Sequence, residues 1–514
     1  MLTNETLEVA YATHPFDNTD TDLILQSSDA VQFSVYKVIL SLASPVFHDM
    51  FVLGSPIQGP SGDIPILQLP ESSDLLDKFL RLVYPIENPS LVKISDVADA
   101  LEVSLKYQTL AVTIHLSSLL RGFIDDSPLA VFAVSCRLDL EFEAKMAALR
   151  IATHPETLPR PFQYVPEMDH ISAAAYFRLR WHLSTPLASS KKRSKASQTP
   201  GAPLPAHWTR KHFSFVCRDP NDCIPVSAGI NVAAPSVSPV TSLATEWLDS
   251  GLFLHHPADI ILRSSDAGTD FIAHRIILSI MAPKLVETIA SSVTPSPLNP
   301  DLPVVETSET PQLLYMLLHS CYGTSLRFSE NVAMDMAQFI PLVRAAKKYD
   351  MAGTIEWARS NLQGRISVAP IRVYFIAILL AWTDVARAAA QFAVIDSNIP
   401  DMAKVYVPEM EDVGAKSYYN LLQYDSAVKS AIQNVVDTYN ARTLRSYENY
   451  KHVGGWSTND TPLLFKIAKV SLAILERERT LYGSDVYLPR LVEESQNMDA
   501  ALQTAIAQVE LAFS

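Results

Sequence analysis

The chain has 514 residues, 48% of them hydrophobic and 19% charged, with a formal net charge of −14 at pH 7. That length exceeds one ordinary core and suggests roughly three units, while a mean hydropathy of +0.11 argues against global disorder. An acidic chain is poorly suited to gripping a phosphate backbone, and 15 glycines against 34 prolines leave few positions for a nucleotide-binding loop.

The four cysteines, Cys136, Cys217, Cys223 and Cys321, are too sparse for a disulfide framework and fit a reducing compartment. Residues 1–13 include Glu5 and Glu8 and lack the basic and apolar regions of a secretory leader. The longest apolar run, 373–382, is shorter than the ~20 residues of a membrane span. A soluble protein of the cytoplasm, the nucleus or both is expected, with no membrane partner and with nucleic acid disfavoured.

In chain order, residues 23–26 and 31–35 are short apolar-polar runs flanking Ser27-Ser28-Asp29-Ala30, the pattern of a β-hairpin. Residues 38–42 begin an apolar helix. Ser44-Pro45 starts a second, with Val46, Phe47, Met50 and Phe51 spaced to share a face. Ile64, Ile66 and Leu69 suggest a third strand, which Pro65 confines to a sheet edge or bulge. Helices follow over 73–84 and 95–107, the latter with Ser95 as its N-cap, and after Thr109, Pro128 and Glu141. Strands first and helices afterwards give an α+β fold.

The same text is written a second time. Residues 22–45 align with 259–283: Asp22 falls on Asp259, then one inserted residue brings Phe33 onto Phe271, Leu40 onto Leu278 and Pro45 onto Pro283. Lys106-Tyr107 falls on Lys348-Tyr349, and the tetrapeptide Val-Pro-Glu-Met recurs at 165–168 and 407–410. Each copy covers about 160 residues, an ordinary domain size. The expected domains are 1–183, a Pro/Ser-rich linker or insertion with a short structured segment at 184–250, 251–440, and a helical segment at 441–514. Within the last, Leu463, Leu464, Ile467, Val470, Leu472 and Leu475, then Leu491, Met498, Leu502, Ile506 and Val509, fit a helical hairpin that packs on the second copy or faces a partner.

These residues carry a family resemblance. The pattern Asp22, Phe33, Lys37, Leu40, Ser41, Ser44, Phe47 resembles the opening of the BTB/POZ domain, with Tyr36 where that family usually has histidine. The second copy supplies Asp259, Phe271, His274, Arg275, Leu278 and Ser279, and departs from the pattern at Ala282-Pro283. The overall texture resembles fungal-type BTB proteins with two tandem BTB-like repeats, each followed by a helical extension. The resemblance implies a small sheet capped by helices, dimerisation between BTB domains, and recruitment of partners such as Cullin-3 ligases or transcriptional regulators.

Chemistry-bearing residues have bland and sharp readings. His274 suggests acid–base catalysis, yet Tyr36 replaces it in the first copy, and a phenol with a pKa near ~10 cannot do that work near neutral pH. A packed, hydrogen-bonded ring tolerates the exchange. His207, His212, Cys217 and Cys223 are weak zinc candidates because their spacing is looser than a knuckle, and the alternative is buried thiols beside Phe213 and Phe215. Lys191-Lys192-Arg193-Ser194-Lys195 is either a nuclear-import patch or a solvated loop. Asp20, Asp22, Asp125, Asp126, Glu141 and Glu143 read as strand and helix starts rather than convergent catalytic carboxylates. No phosphate-loop, dinucleotide, zincin or nucleophile-elbow motif occurs.

The expectation is a non-enzymatic interaction scaffold without cofactor, whose two BTB-like units pair within one chain or as a homodimer. The alternatives are a substrate receptor of a Cullin-3 ubiquitin ligase and a nuclear transcriptional regulator.

Overall fold

The computed structural model describes residues 10–53, 64–154, 164–184, 215, 247, 257–265, 269–289, 294–295, 302–322, 335–395, 402–446, 497 and 500–513. The chain divides into two compact units, Met1–Ile224 and Pro225–Ser514. Both are mixed α+β.

In the first unit, β1 (Ala10–Tyr11), β2 (Leu23–Gln26), β3 (Val31–Val35) and β4 (Ile66–Gln68) form a sheet of order β1-β3-β2-β4. The register Leu23↔Val35 and Leu25↔Phe33 puts four buried side chains on one face, which is what the alternating sequence demands. The turn closes as Ser27 Oγ accepts from Val31 N at 3.0 Å, with Ala30 in the left-handed region at φ 63°. Strand β4 runs parallel to β2 at the edge of the sheet. Pro65 stands just before β4 and contributes only its carbonyl, to Ile24 N, so its missing N–H costs nothing.

Helices α1 (Lys37–Ala43), α2 (Pro45–Leu53), α3 (Ser73–Val83), α4 (Ile94–Lys106) and α5 (Leu110–Gly122) cap the sheet. The core joins Phe33, Leu40, Phe47, Leu76, Phe79 and Tyr107, with the rings of Phe47 and Tyr107 stacked at 4.5 Å. Met50 is 40% exposed and leaves the buried face expected of α2. Helix α4 starts earlier than its sequence suggests: Ser95 lies inside the first turn, and Lys93 is the N-cap without a side-chain bond. Asp96, also in that first turn, supplies the negative charge favoured there. The extension consists of α6 (Pro128–Arg137), buried from Pro128 to Ser135, α7 (Glu141–Thr153), a 3-10 turn at Pro166–His170 and α8 (Ala173–Ser184).

In the second unit, β5 (Ile260–Arg263), β6 (Asp270–Ala273), β7 (Thr294–Pro295) and β8 (Pro303–Glu306) give the order β6-β5-β8-β7. As in the first sheet, the central strand has an antiparallel hairpin partner and a parallel one, with Leu262↔Phe271 in register. The fourth strand differs: β1 joins β3, the second strand of its hairpin, whereas β7 joins β8. Then follow α9 (Arg275–Met281), α10 (Pro283–Ile289), α11 (Pro311–Cys321), α12 (Phe339–Lys348), α13 (Ala352–Gly364), α14 (Pro370–Leu379), α15 (Thr383–Ile395), a 3-10 turn at Pro408–Glu411 and α16 (Ala415–Ser446). Helices α5 and α13 are each 13 residues long and start 242 positions apart, as are α7 and α15. Gln108 and Asp350 leave α4 and α12 at φ 53° and 62°, and Asp139 and Ala381 leave α6 and α14 at 58° and 61°.

Two residues of the 184–250 stretch pack into these units. Phe215 is 2% exposed against the first extension. The Trp247 indole donates to Ile272 O at 2.8 Å and meets Tyr322 edge-on at 5.2 Å, much as Phe16 meets Tyr84 at 5.4 Å. Helix α16 lacks glycine and proline and continues through residue 440, so the sequence-based boundary there falls inside a helix. At the C-terminus, residues 500–507 are helical, with Leu502, Ile506 and Leu511 buried. Asn420 Nδ2 donates to Ala512 O at 3.2 Å, so this piece packs on the second unit. Residues 461–496, 498 and 499 of the expected hairpin lie outside the described residues, as do His207, His212, Cys217, Cys223 and the 191–195 basic run.

Candidate functional site

Helix α1 is tied to the sheet by a carboxylate. Asp22 Oδ1 accepts from Lys37 N at 2.8 Å, and in the second unit Asp259 Oδ1 accepts from Arg275 N at 2.6 Å. A free N–H at the helix start is thus satisfied from the strand beside it. One residue earlier, Tyr36 N donates to Tyr84 Oη at 2.8 Å and His274 N to Tyr322 Oη at 2.7 Å. The Tyr36 hydroxyl accepts from Asn18 Nδ2 at 3.2 Å, while His274 Nδ1 lies 2.9 Å from Tyr322 Oη. Both rings are half-buried. Phe33, Leu40, Phe271 and Leu278 are core; Ser41 is half-buried; Ser279 is exposed and donates to Ile276 O at 2.8 Å.

A second tie was not read from the sequence. Glu71, 8% exposed, receives the Lys106 ammonium on one oxygen and the Tyr107 hydroxyl on the other at 2.9 Å. Glu309 receives Lys348 at 2.7 Å and Tyr349 at 2.8 Å. Burial works against the Glu309 charge, but Lys348 and Tyr349 hold its carboxyl below the usual range. The available signal was spacing, since Glu71 and Glu309 stand 238 positions apart, each just before a capping hydroxyl, Ser72 or Thr310.

The scaffold held by these ties displays an apolar face. On α1, Val38 and Leu42 are 61% and 85% exposed; on α9, Ile276 and Ile280 are 67% and 71% exposed. Each pair is spaced i, i+4 on one helix face, and the two pairs stand 238 positions apart. In the first unit Val52 and Leu53 of α2 are exposed as well. Phe47, by contrast, is fully buried and unavailable to a partner. Further along, α7 exposes Phe142, Met146 and Leu149 and α5 exposes Leu110 and Ile114, whereas α15 carries Asp384, Ala388 and Gln391 at the places 242 positions later.

The carboxylates do not converge. Asp125 pairs with Arg150 at 2.8 Å, Glu141 with Lys145 at 3.0 Å and Glu143 with Arg121 at 3.0 Å. Among the described residues no group of three or more His, Cys, Asp or Glu is placed to hold a metal ion. Burial pushes the Cys321 thiol up to about 12 and the Cys136 thiol higher still, which keeps both un-ionised. No helix among the described residues is long and apolar enough to cross a membrane.

Compared with known families, residues 14–123 match the BTB/POZ domain. No curated protein matches the chain. The matched stretch holds β2, β3 and β4 of the first sheet and the capping helices from α1 to α5, with β1 just before it, and a BTB/POZ domain supports a protein-interaction role. Such domains are generally interaction modules rather than enzymes.

Proposed function

We propose that the chain is an interaction scaffold in which the BTB/POZ domain at 14–123 is followed by a second BTB-like domain, and that the two pair through their α1-type faces. The single observation that carries this is the exposure of Val38 and Leu42 on one helix and of Ile276 and Ile280 at the corresponding places of another. Large aliphatic side chains held in water at the same two positions are what homotypic pairing requires, since burying each would contribute about 1.5–3 kcal/mol. Equal placement of the Asp22 and Asp259 caps and of the Glu71 and Glu309 ties supports a common frame beneath those faces. With both faces on one chain, the tether raises their effective concentration to roughly millimolar and favours pairing in cis over pairing between chains. The pseudo-two-fold contact then stands in for the isologous contact of a homodimer.

The test is a double-cysteine variant, Val38→Cys with Ile276→Cys, oxidised gently and read by gel mobility alongside light scattering. A within-chain crosslink at the 56.8 kDa mass of one chain is expected. A crosslinked species of twice that mass places the pairing between chains. A single-chain mass with no crosslink refutes homotypic pairing.

A further inference from the structure

Phe215 is held by both its main chain and its ring. Its N–H donates to the Glu141 carboxylate, 3.3 Å from Oε1 and 3.1 Å from Oε2. Its carbonyl accepts from Arg178 Nε at 3.3 Å and Nη2 at 3.2 Å. The ring stands edge-on to Phe132 at 5.2 Å and to His182 at 5.6 Å. Glu141 opens α7, Phe132 lies on α6, and Arg178 and His182 lie on α8, so three helices meet on one residue from outside the extension.

The chemistry of this grip is that of peptide recognition. Burying a guanidinium is costly unless it is well partnered, yet Arg178 is only 2% exposed and two of its nitrogens address a backbone carbonyl. A carboxylate takes the N–H of the same residue. Such a pair reads main chain rather than side chain, and the aromatic slot adds a preference for one flat ring.

One position of this grip has a counterpart in the second unit. Asn420 lies 242 positions after Arg178, and its Nδ2 donates to a backbone carbonyl, that of Ala512. Leu511 beside it is buried, and the Arg387 guanidinium lies 5.5 Å from the Phe513 ring. Residues 213–217 (Phe-Ser-Phe-Val-Cys) and 510–514 (Glu-Leu-Ala-Phe-Ser) have little sequence in common, but each includes a phenylalanine and a backbone carbonyl captured by a helix of its own unit.

We infer that the surface built by Glu141, Arg178, Phe132 and His182 is a docking site for a short peptide with one aromatic side chain, filled in cis by Phe215. An incoming segment of that class competes with Phe215, and the tether sets how strongly it must bind. The inference is independent of homotypic pairing.

The test uses the full chain and a fluorescein-labelled peptide of residues 210–220, with serine for Cys217, read by anisotropy. The Phe215→Ala chain vacates the slot and is expected to bind the probe at least about tenfold more tightly than wild type. Adding Arg178→Ala, or placing alanine at the Phe215 position of the probe, is expected to abolish that gain. Equal binding by wild type and a folded Phe215→Ala chain, checked by thermal melting, overturns the inference. If Phe215→Ala does not fold, hydrogen exchange on the wild-type chain decides. With excess of a mass-shifted probe, the chain's own Phe215 amide loses protection if the site is exchangeable, and unchanged protection overturns the inference.

Discussion

The hydroxyl oxygen of Tyr322 sits 2.7 Å from the backbone N of His274 and 2.9 Å from that residue's Nδ1. Tyr84 makes the corresponding backbone contact with Tyr36 at 2.8 Å. One oxygen therefore fixes the corner where a strand becomes a helix. Tyr84→Phe and Tyr322→Phe each leave a part-buried N–H without its acceptor and are expected to cost about 1–3 kcal/mol. Urea unfolding of the full chain, probed by near-ultraviolet circular dichroism, measures the loss.

The same two phenols give the chain an alkaline limit. Burial pushes Tyr84 and Tyr322 up to about 12, whereas an exposed tyrosine titrates near ~10. The unfolded chain therefore ionises first. Their contribution is complete below pH ~10 and is lost as pH rises from there through about 12. Unfolding midpoints across pH 9–12 are expected to fall, and to fall less steeply in the double Tyr84→Phe, Tyr322→Phe variant.

Ser44 is a cap that the second unit lacks. Its hydroxyl donates to Tyr107 O at 2.5 Å and accepts from Phe47 N at 3.0 Å, while Ala282 occupies the corresponding place before α10. Ser44→Ala is expected to lower stability by about 1–2 kcal/mol, and Ala282→Ser to raise it by about 1 kcal/mol. Denaturant midpoints of the two variants should move in opposite directions.

Gln108 is exposed and left-handed at φ 53°, immediately after α4. A β-carbon is disfavoured there by about 1–2 kcal/mol, partly offset by the extra freedom glycine has in the unfolded chain. Gln108→Gly is expected to raise the thermal midpoint, and Gln108→Val to lower it.

What the sequence conveys about this fold follows from how local each signal is. The β2–β3 hairpin was legible to the residue because its alternation and its Ser-Ser-Asp-Ala turn are contiguous. Pro65 narrowed β4 to a sheet edge or a bulge, and the strand lies at the edge. Ser95 misled because a capping residue type one position inside a helix looks like a cap. Strands β1 and β7, two residues each, are too short to show any period. Glu71 and Glu309 sit in loops, where no pattern marks a buried carboxylate, and their roles appear only when Tyr107 and Tyr349 are folded against them. Phe215 was noted as a neighbour of cysteines; its grip by Glu141 and Arg178 joins residues 74 and 37 positions away, beyond any local reading.

Helices α7 and α15 differ in what they carry at places 242 positions apart. Phe142, Met146 and Leu149 give the first extension an oily stripe, and Asp384, Ala388 and Gln391 give the second a wetter one, with Asp384 engaged by Arg359 at 2.6 Å. Covering the stripe on α7 releases water from apolar surface, whereas covering the one on α15 strips water from Asp384 and Gln391.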